Sequence, residues 1–324
     1  MFPAYSAEAA RLALEKYQVV VYLVAVAAGL GIGLSAPPSG AAPEWLIWPL
    51  LAALLYVTFT QTHLGTIGRA LGDRRFLAVM LVVNFLLVPI LVWGLTRLLI
   101  DDPVLALGVF LVLLVPCTDW FISFSQLGRA DVPRAIAAAP VLLLGQILLL
   151  PIYLWLFTAS DIRAELPVAA MLGAFVLVIL VPLLAAWFTD VGGRRHPLLR
   201  RGTQAMAWLP VPLLAAVLFT IMLSHAPRVI GDVAGLWPVA IVFLLYVLMA
   251  PWVAAAAGHL GGLDVAARRT VAFSAGSRNS FMVLPIALAL PAGLQPVVAV
   301  IILQSLIELF GLIAYTRLIP VWIR

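Results

Sequence analysis

Leu111-Val-Leu-Leu-Val-Pro-Cys-Thr-Asp-Trp-Phe-Ile-Ser-Phe-Ser-Gln126 decides how this chain is read. It is an apolar helix with a break in its middle. Pro116 removes a backbone donor and clashes with the preceding turn. Thr118 and Asp119 follow at once, with side chains able to cap the amides of a new helix start. A second stretch, Val271-Ala-Phe-Ser-Ala-Gly-Ser-Arg-Asn-Ser-Phe281, repeats the pattern. Its Gly276, Ser277, Asn279 and Ser280 are poor helix formers and good partners for freed backbone groups. Both stretches read as two half-helices joined by a short extended segment.

Each break carries a charge. Asp119, Arg278 and Glu308 are the three charged residues placed inside apolar helices; the others fall at loops or helix ends. A charge near the bilayer centre costs ~2.5–3.5 kcal/mol on insertion scales, so each marks a functional candidate. Where two broken helices cross, two N-termini and two C-termini meet. Asp119 suits the positive ends and Arg278 the negative ends, or the two pair with each other.

The surroundings are those of a membrane. Of 324 residues 65% are hydrophobic and 10% charged, which leaves too little polar surface for a soluble domain of this size. Ten apolar segments have spanning length: 17–35, 43–62, 76–99, 104–127, 133–158, 167–189, 204–224, 235–258, 266–291 and 295–319. Residues 1–16 hold Glu8, Arg11, Glu15 and Lys16 without an apolar core, so the first span is expected to serve as its own insertion signal. Fifteen of the 19 basic residues lie at the two ends and in alternate loops. The opposite face holds Arg97, Arg163 and Arg228. Basic loops stay inside, so both termini are expected in the cytoplasm, with the cell membrane as the location. The net charge of +5 reads as topology and lipid contact, and no basic patch with interleaved aromatics points to nucleic acid. Trp45, Trp48 and Trp322 fall near expected interfaces.

Landmarks recur at a nearly constant offset. Pro49-Leu-Leu-Ala-Ala53 matches Pro212-Leu-Leu-Ala-Ala216, an offset of 163. Pro89 matches Pro251 at 162, Pro116 matches Gly276 at 160, and Gln146 matches Glu308 at 162. The chain thus divides into five spans (1–166) and five more (167–324), joined at the basic stretch Arg194–Arg201. Five is odd, so the second half enters the membrane inverted. The expected fold is an all-α polytopic membrane protein with ten transmembrane helices in a 5+5 inverted-topology repeat. Its discontinuous helices 4 and 9 cross near the midplane.

The ordered residues Asn84 and Pro89, Pro116-Cys-Thr118, Gln146, Phe273-Ser-Ala-Gly-Ser-Arg-Asn-Ser280 and Leu306-Ile-Glu308 resemble those of the arsenical-resistance permeases. These are arsenite exporters of the bile acid/sodium symporter superfamily. The resemblance runs from span 1 to span 10. It implies a panel domain of spans 1, 2, 6 and 7 and a core domain of spans 3–5 and 8–10. It also implies export of trivalent arsenic, arsenite or antimonite, in exchange for protons, with Cys117 and Glu308 as the functional positions. There are departures. Arg278-Asn279 stands where arsenite exporters carry paired asparagines. Ser274 and Arg278 occupy the places of a Glu and a Gln that bind sodium in the sodium-coupled branch. A fixed guanidinium supplies a cation and repels another, which argues against sodium coupling there. Asp119 has no counterpart in the pattern.

Arsenous acid is a neutral hydroxylated solute that bonds soft sulfur. Cys117, the one cysteine of the chain, is a soft ligand for As(III) as substrate, or else a small buried hydrophobe. Thr118, Ser277, Asn279 and Ser280 are candidates to hold the hydroxyl groups. One thiol binds weakly enough to release its load, and one cysteine excludes an intrachain disulfide and a multi-thiolate metal site. Glu308 lies in an apolar run beside Gln304 and Ser305. It is either a structural carboxyl or the group that carries the coupling proton. Asn84 and Gln146 are second candidates to line the cavity or satisfy broken backbone. No cofactor is expected. The histidines, His63, His196, His225 and His259, sit near helix ends and far apart in sequence. Paired aspartates and Ser–His sets are absent from the spans, so an enzyme is not expected. A carrier of an organic anion or other small solute on the same fold is the alternative, with Arg278 as its anion-binding group.

Overall fold

The structure, a computed structural model, describes residues 2–35, 44–61, 72–118, 120–193, 196–233 and 235–324. Asp119 and His63 lie outside the described residues. All regular elements among the described residues are helices. They are α1 (Phe2–Ser35), α2 (Ile47–Gln61), α3 (Arg74–Leu99), α4 (Pro103–Leu113), α5 (Trp120–Leu127), α6 (Val132–Phe157), α7 (Ser160–Glu165) and α8 (Val168–Gly193). After these come α9 (Pro197–Ala205), α10 (Pro210–Val233), α11 (Trp237–Leu260), α12 (Val265–Gly276), α13 (Ser280–Leu288) and α14 (Pro296–Trp322).

Among the described residues five helices are long and apolar enough to cross a membrane: α3, α6, α8, α11 and Ala292–Trp322. Pro197–Ala205 and Pro210–Ser224, bent by 51°, make a sixth span if counted as one. Val20–Ser35, Ile47–Gln61 and Pro103–Leu113 are shorter apolar helices. The chain is a multi-pass membrane protein. The basic stretch 194–201, expected as a loop, is helical from Pro197 onward. Pro197 sits at the first helical position, where its missing N–H is not needed and its fixed φ suits the helix.

The chain forms two compact units, and both halves of the sequence contribute to each. The first is Met1–Gln61 with Val168–Ala234; the second is Thr62–Pro167 with Gly235–Arg324. In the first unit α1 packs along α10, and α2 packs on α8 and α10. Gly29 allows the closest approach: a Cβ there would lie 2.5 Å from the carbonyl oxygen of Phe219. Small residues at such crossings let backbones meet in lipid, where no hydrophobic force between helices assists packing. The Tyr56 hydroxyl and Thr189 Oγ1 lie 3.1 Å apart and tie α2 to α8.

In the second unit α14 runs through the centre, against α4, α11, α12 and α13. Its buried face includes Val297, Val300, Ile301, Gln304, Glu308, Leu312 and Tyr315. Four helices of this unit start at a capping aspartate. Asp73 accepts from the Phe76 amide, Asp102 from Val104, Asp131 from Arg134 and Asp264 from Ala267. Such caps contribute about 1 kcal/mol each. One guanidinium joins three of them: Arg134 donates to Asp73 (2.9 Å), Asp131 (3.2 Å) and Asp264 (2.6 Å). The starts of α3, α6 and α12 are thereby gathered at one place. The Asp264 carboxyl is held below its ordinary range, first by the Ala267 amide and then by Arg134.

Two prolines in this unit are answered in the same way. Pro89 in α3 cannot donate to the carbonyl of Phe85, and the helix widens to a π-turn over Val83–Leu87. The Tyr153 hydroxyl of α6 donates to that Phe85 carbonyl at 2.5 Å. Pro251 in α11 likewise frees the carbonyl of Val247, and the Tyr315 hydroxyl of α14 donates to it. Pro89 and Pro251, Phe85 and Val247, and Tyr153 and Tyr315 are each 162 residues apart.

Candidate functional site

The two breaks meet. α4 ends at Leu113 and α12 at Gly276, and the extended residues beyond them pair antiparallel. The Cys117 amide donates to the Ser277 carbonyl at 3.1 Å, and the Asn279 amide donates to the Val115 carbonyl at 2.8 Å. Pro116 and Arg278 stand opposite each other between these two bonds. In that position of an antiparallel pair neither residue gives its N–H to the partner. Proline's missing donor therefore costs nothing at Pro116. The N–H of Arg278 points away from the pair, and Glu308 Oε2 accepts it at 2.9 Å.

Arg278 is 3% exposed, and its guanidinium is held by oxygens of the helix ends. It donates to the Leu113 carbonyl of α4 (3.4 Å) and to the Ser274 (2.6 Å) and Ala275 (2.8 Å) carbonyls of α12. Asn84 Oδ1 accepts a further bond at 2.9 Å. A helix C-terminus carries about −0.5 elementary charge, so two of them sum to about −1, which one guanidinium balances. Its Nε has no hydrogen-bond partner among the described residues, and no carboxylate there lies within ion-pair distance of it. Tyr246 donates to the Ala275 carbonyl at 2.5 Å and lies against the guanidinium, 5.8 Å from its carbon to the ring centre. Asn84, in the π-turn of α3, also donates to Ser274 Oγ (3.0 Å) and to the Met80 carbonyl (3.0 Å). Gly276 is required at this corner, since a Cβ would stand 2.3 Å from the Tyr315 ring.

Glu308, 3% exposed, binds the second break along its length. Besides the Arg278 amide, Oε1 accepts from Ser277 Oγ at 3.2 Å. Oε2 also accepts from the side-chain amide of Gln304, whose oxygen accepts from Ser280 Oγ. Asn279 caps α13 by accepting from the Met282 amide at 3.3 Å. Cys117, Ser277, Asn279, Ser280, Arg278, Asn84 and Glu308 thus form one connected set. Thr118 is adjacent in the chain and buried, and its hydroxyl has no partner among the described residues. Gln146 stands apart from the carboxyl. Its Nε2 lies 3.1 Å from Met282 Sδ, and its buried Oε1 has no partner among the described residues.

Tyr246 belongs to the set although nothing in the sequence singles it out, and Ser274 and Gln304 belong to it although the sequence reading assigns them no site role. For Gln304 the signal is its place four residues before Glu308, on the same face of one helix.

A helical membrane protein whose broken helices pair at a buried, charge-balanced crossing has the architecture of a carrier. The family model of the sodium bile acid symporter family matches residues 48–232, more than half of the chain, and the chain belongs to that family. It is a membrane transporter of that type. No curated protein matches the chain. Cys117, Asn84 and Gln146 lie within the matched residues; the second break and Glu308 lie beyond them.

Proposed function

We propose that this chain exports trivalent arsenic, as arsenite or antimonite, by proton antiport with alternating access. In this reading ten spans form two inverted five-helix repeats, 1–166 and 167–324. Spans 1, 2, 6 and 7 form the panel, and spans 3–5 and 8–10 form the core. The observation that carries it is the pairing of Val115–Cys117 with Ser277–Asn279, which joins the strand bearing the single thiol to the strand that the Glu308 carboxyl of α14 binds.

Cys117 offers the sulfur that the metalloid prefers, and one sulfur lets it leave again. Among the described residues the Thr118 hydroxyl and Gln146 Oε1 are buried without a partner and are available to its hydroxyl groups. Glu308 carries the coupling proton, and its bonds to Ser277 and Arg278 convey its state to the strand that bears Cys117. The repeated proline, carbonyl and tyrosine sets at an offset of 162 support the duplication. The anion-carrier alternative would rest on Arg278, and carbonyls together with Asn84 already engage that guanidinium.

The test is arsenite uptake into everted membrane vesicles, with and without an inside-acid gradient, for wild type and Cys117→Ser. Gradient-driven uptake that the substitution abolishes is expected. Absence of uptake, with the protein present in the membrane, would refute the arsenite reading.

A further inference from the structure

Gln304 lies between two groups of different kind, and both of its ends are occupied. Its oxygen accepts from Ser280 Oγ and its nitrogen donates to Glu308 Oε2. It is 3% exposed, so water does not compete for either end. Glu308 receives three donors (Gln304, the Arg278 amide and Ser277), the pattern an ionised carboxylate takes. A protonated Glu308 must donate instead. On Oε1 the Ser277 hydroxyl can turn to accept; on Oε2 the Arg278 amide can only donate, so a hydrogen there goes to Gln304, whose side-chain amide exchanges donor for acceptor by a half-turn about its last bond.

We propose that Gln304 is a reversible link through which the proton on Glu308 sets whether Ser280 offers the substrate an acceptor or a donor. With Glu308 ionised, Ser280 donates to Gln304 Oε1 and its oxygen lone pairs are left to accept. When Glu308 takes a proton on Oε2, that hydrogen bonds Gln304 Oε1. The amide turns, its Nε2 donates to Ser280 Oγ, and the Ser280 hydrogen is freed to be donated elsewhere. No proton travels through Gln304; the proton enters and leaves at Glu308. Ser280 opens α13, one residue beyond the strand paired with Cys117, so the change is delivered at the crossing. Arg278, Tyr246 and Tyr315 are the other charged or titratable groups acting on Glu308 among the described residues, and none of them bonds Gln304. Cys117 lies across the pair from Ser277. The link rests on the proton-coupled reading of Glu308, and Gln304 acts in it as a positioning residue.

Two readouts test it on the full-length protein. Infrared spectra of purified protein, followed from about pH 5.5 to about 8.5, give the carboxyl band that Glu308→Gln removes. Arsenite uptake in everted vesicles over the same range gives the pH dependence of transport. Gln304→Met keeps length and loses both hydrogen bonds; it is expected to shift the Glu308 band and to abolish the pH dependence of uptake. Ser280→Ala cuts only the far end; it is expected to keep the wild-type band and to abolish that pH dependence too. A wild-type band or a wild-type pH profile in Gln304→Met overturns the link. Should Gln304→Met fail to reach the membrane, a wild-type pH profile in Ser280→Ala overturns it. If wild-type vesicles take up no arsenite, the export reading falls by itself. The infrared arm then decides: a Glu308 band that depends on Gln304 upholds the link, and one indifferent to it overturns it.

Discussion

Arg278 is the residue on which the crossing turns. Its charge is matched by two helix ends rather than by a side-chain anion among the described residues. Arg278→Ala would leave the buried Leu113 carbonyl and Asn84 Oδ1 without a donor among the described residues. It would also take one of two donors from the Ser274 and Ala275 carbonyls, which keep the Ser277 amide and the Tyr246 hydroxyl. Unsatisfied buried groups cost ~1–3 kcal/mol each, and loss of a buried balancing charge ~3–5 kcal/mol. A fall of many degrees in the thermal midpoint of detergent-solubilised protein is expected. Arg278→Lys keeps the charge without the planar fork that reaches both helices, so an intermediate loss is expected. Equal midpoints for wild type and Arg278→Ala would refute this account. The same guanidinium occupies the oxygens that an added cation would need. Replacing sodium by choline is therefore expected to leave uptake unchanged, and a sodium requirement would contradict the charge balance described.

At the scale of elements, the freed carbonyls are the clearest case of sequence dictating structure and packing completing it. Pro89 and Pro251 each delete a helix bond, and a tyrosine from another helix replaces it. Tyr315→Phe should cost about 1–3 kcal/mol in the Pro251 background. It should cost much less once Pro251→Ala restores a donor, since the two changes share one carbonyl. Additive losses in that double-mutant cycle would exclude the pairing. The helix starts give a second case. Asp264 is held below its ordinary range, so its contribution is present above that range and is lost as pH falls through its folded value. Arg134→Gln should lower stability near neutrality and flatten the acid decline, measured as thermal midpoint against pH. The positions of the breaks were legible, because Pro116, Gly276 and Ser277 announce them locally. The partner of Arg278 was half legible: the sequence left the negative helix ends and Asp119 both open, and the fold shows the helix-end carbonyls engaging it. Gln304 was opaque: a glutamine one turn before a glutamate reads the same whether it faces lipid or bridges two side chains.

For the whole molecule, the decisive question is whether the two halves cross the membrane in opposite senses. The loops argue for it through their arginines, and the second unit adds pairs of equivalent positions. Asp102 opens α4 and Asp264 opens α12, each as a capping residue, each exposed, and 162 residues apart. In an inverted repeat these two helix starts face opposite sides. In a parallel repeat they face the same side. Asp102→Cys and Asp264→Cys, each introduced alone into a Cys117→Ser background, lose one cap apiece, about 0.5–2 kcal/mol, and Asp264→Cys also loses its bond to Arg134, which keeps Asp73 and Asp131. A membrane-impermeant thiol reagent applied to intact cells should label the cysteine at 102, and applied to everted vesicles it should label the one at 264. Labelling of both from the same side would remove the inverted duplication. The pairing of the two breaks would then need a different topological origin.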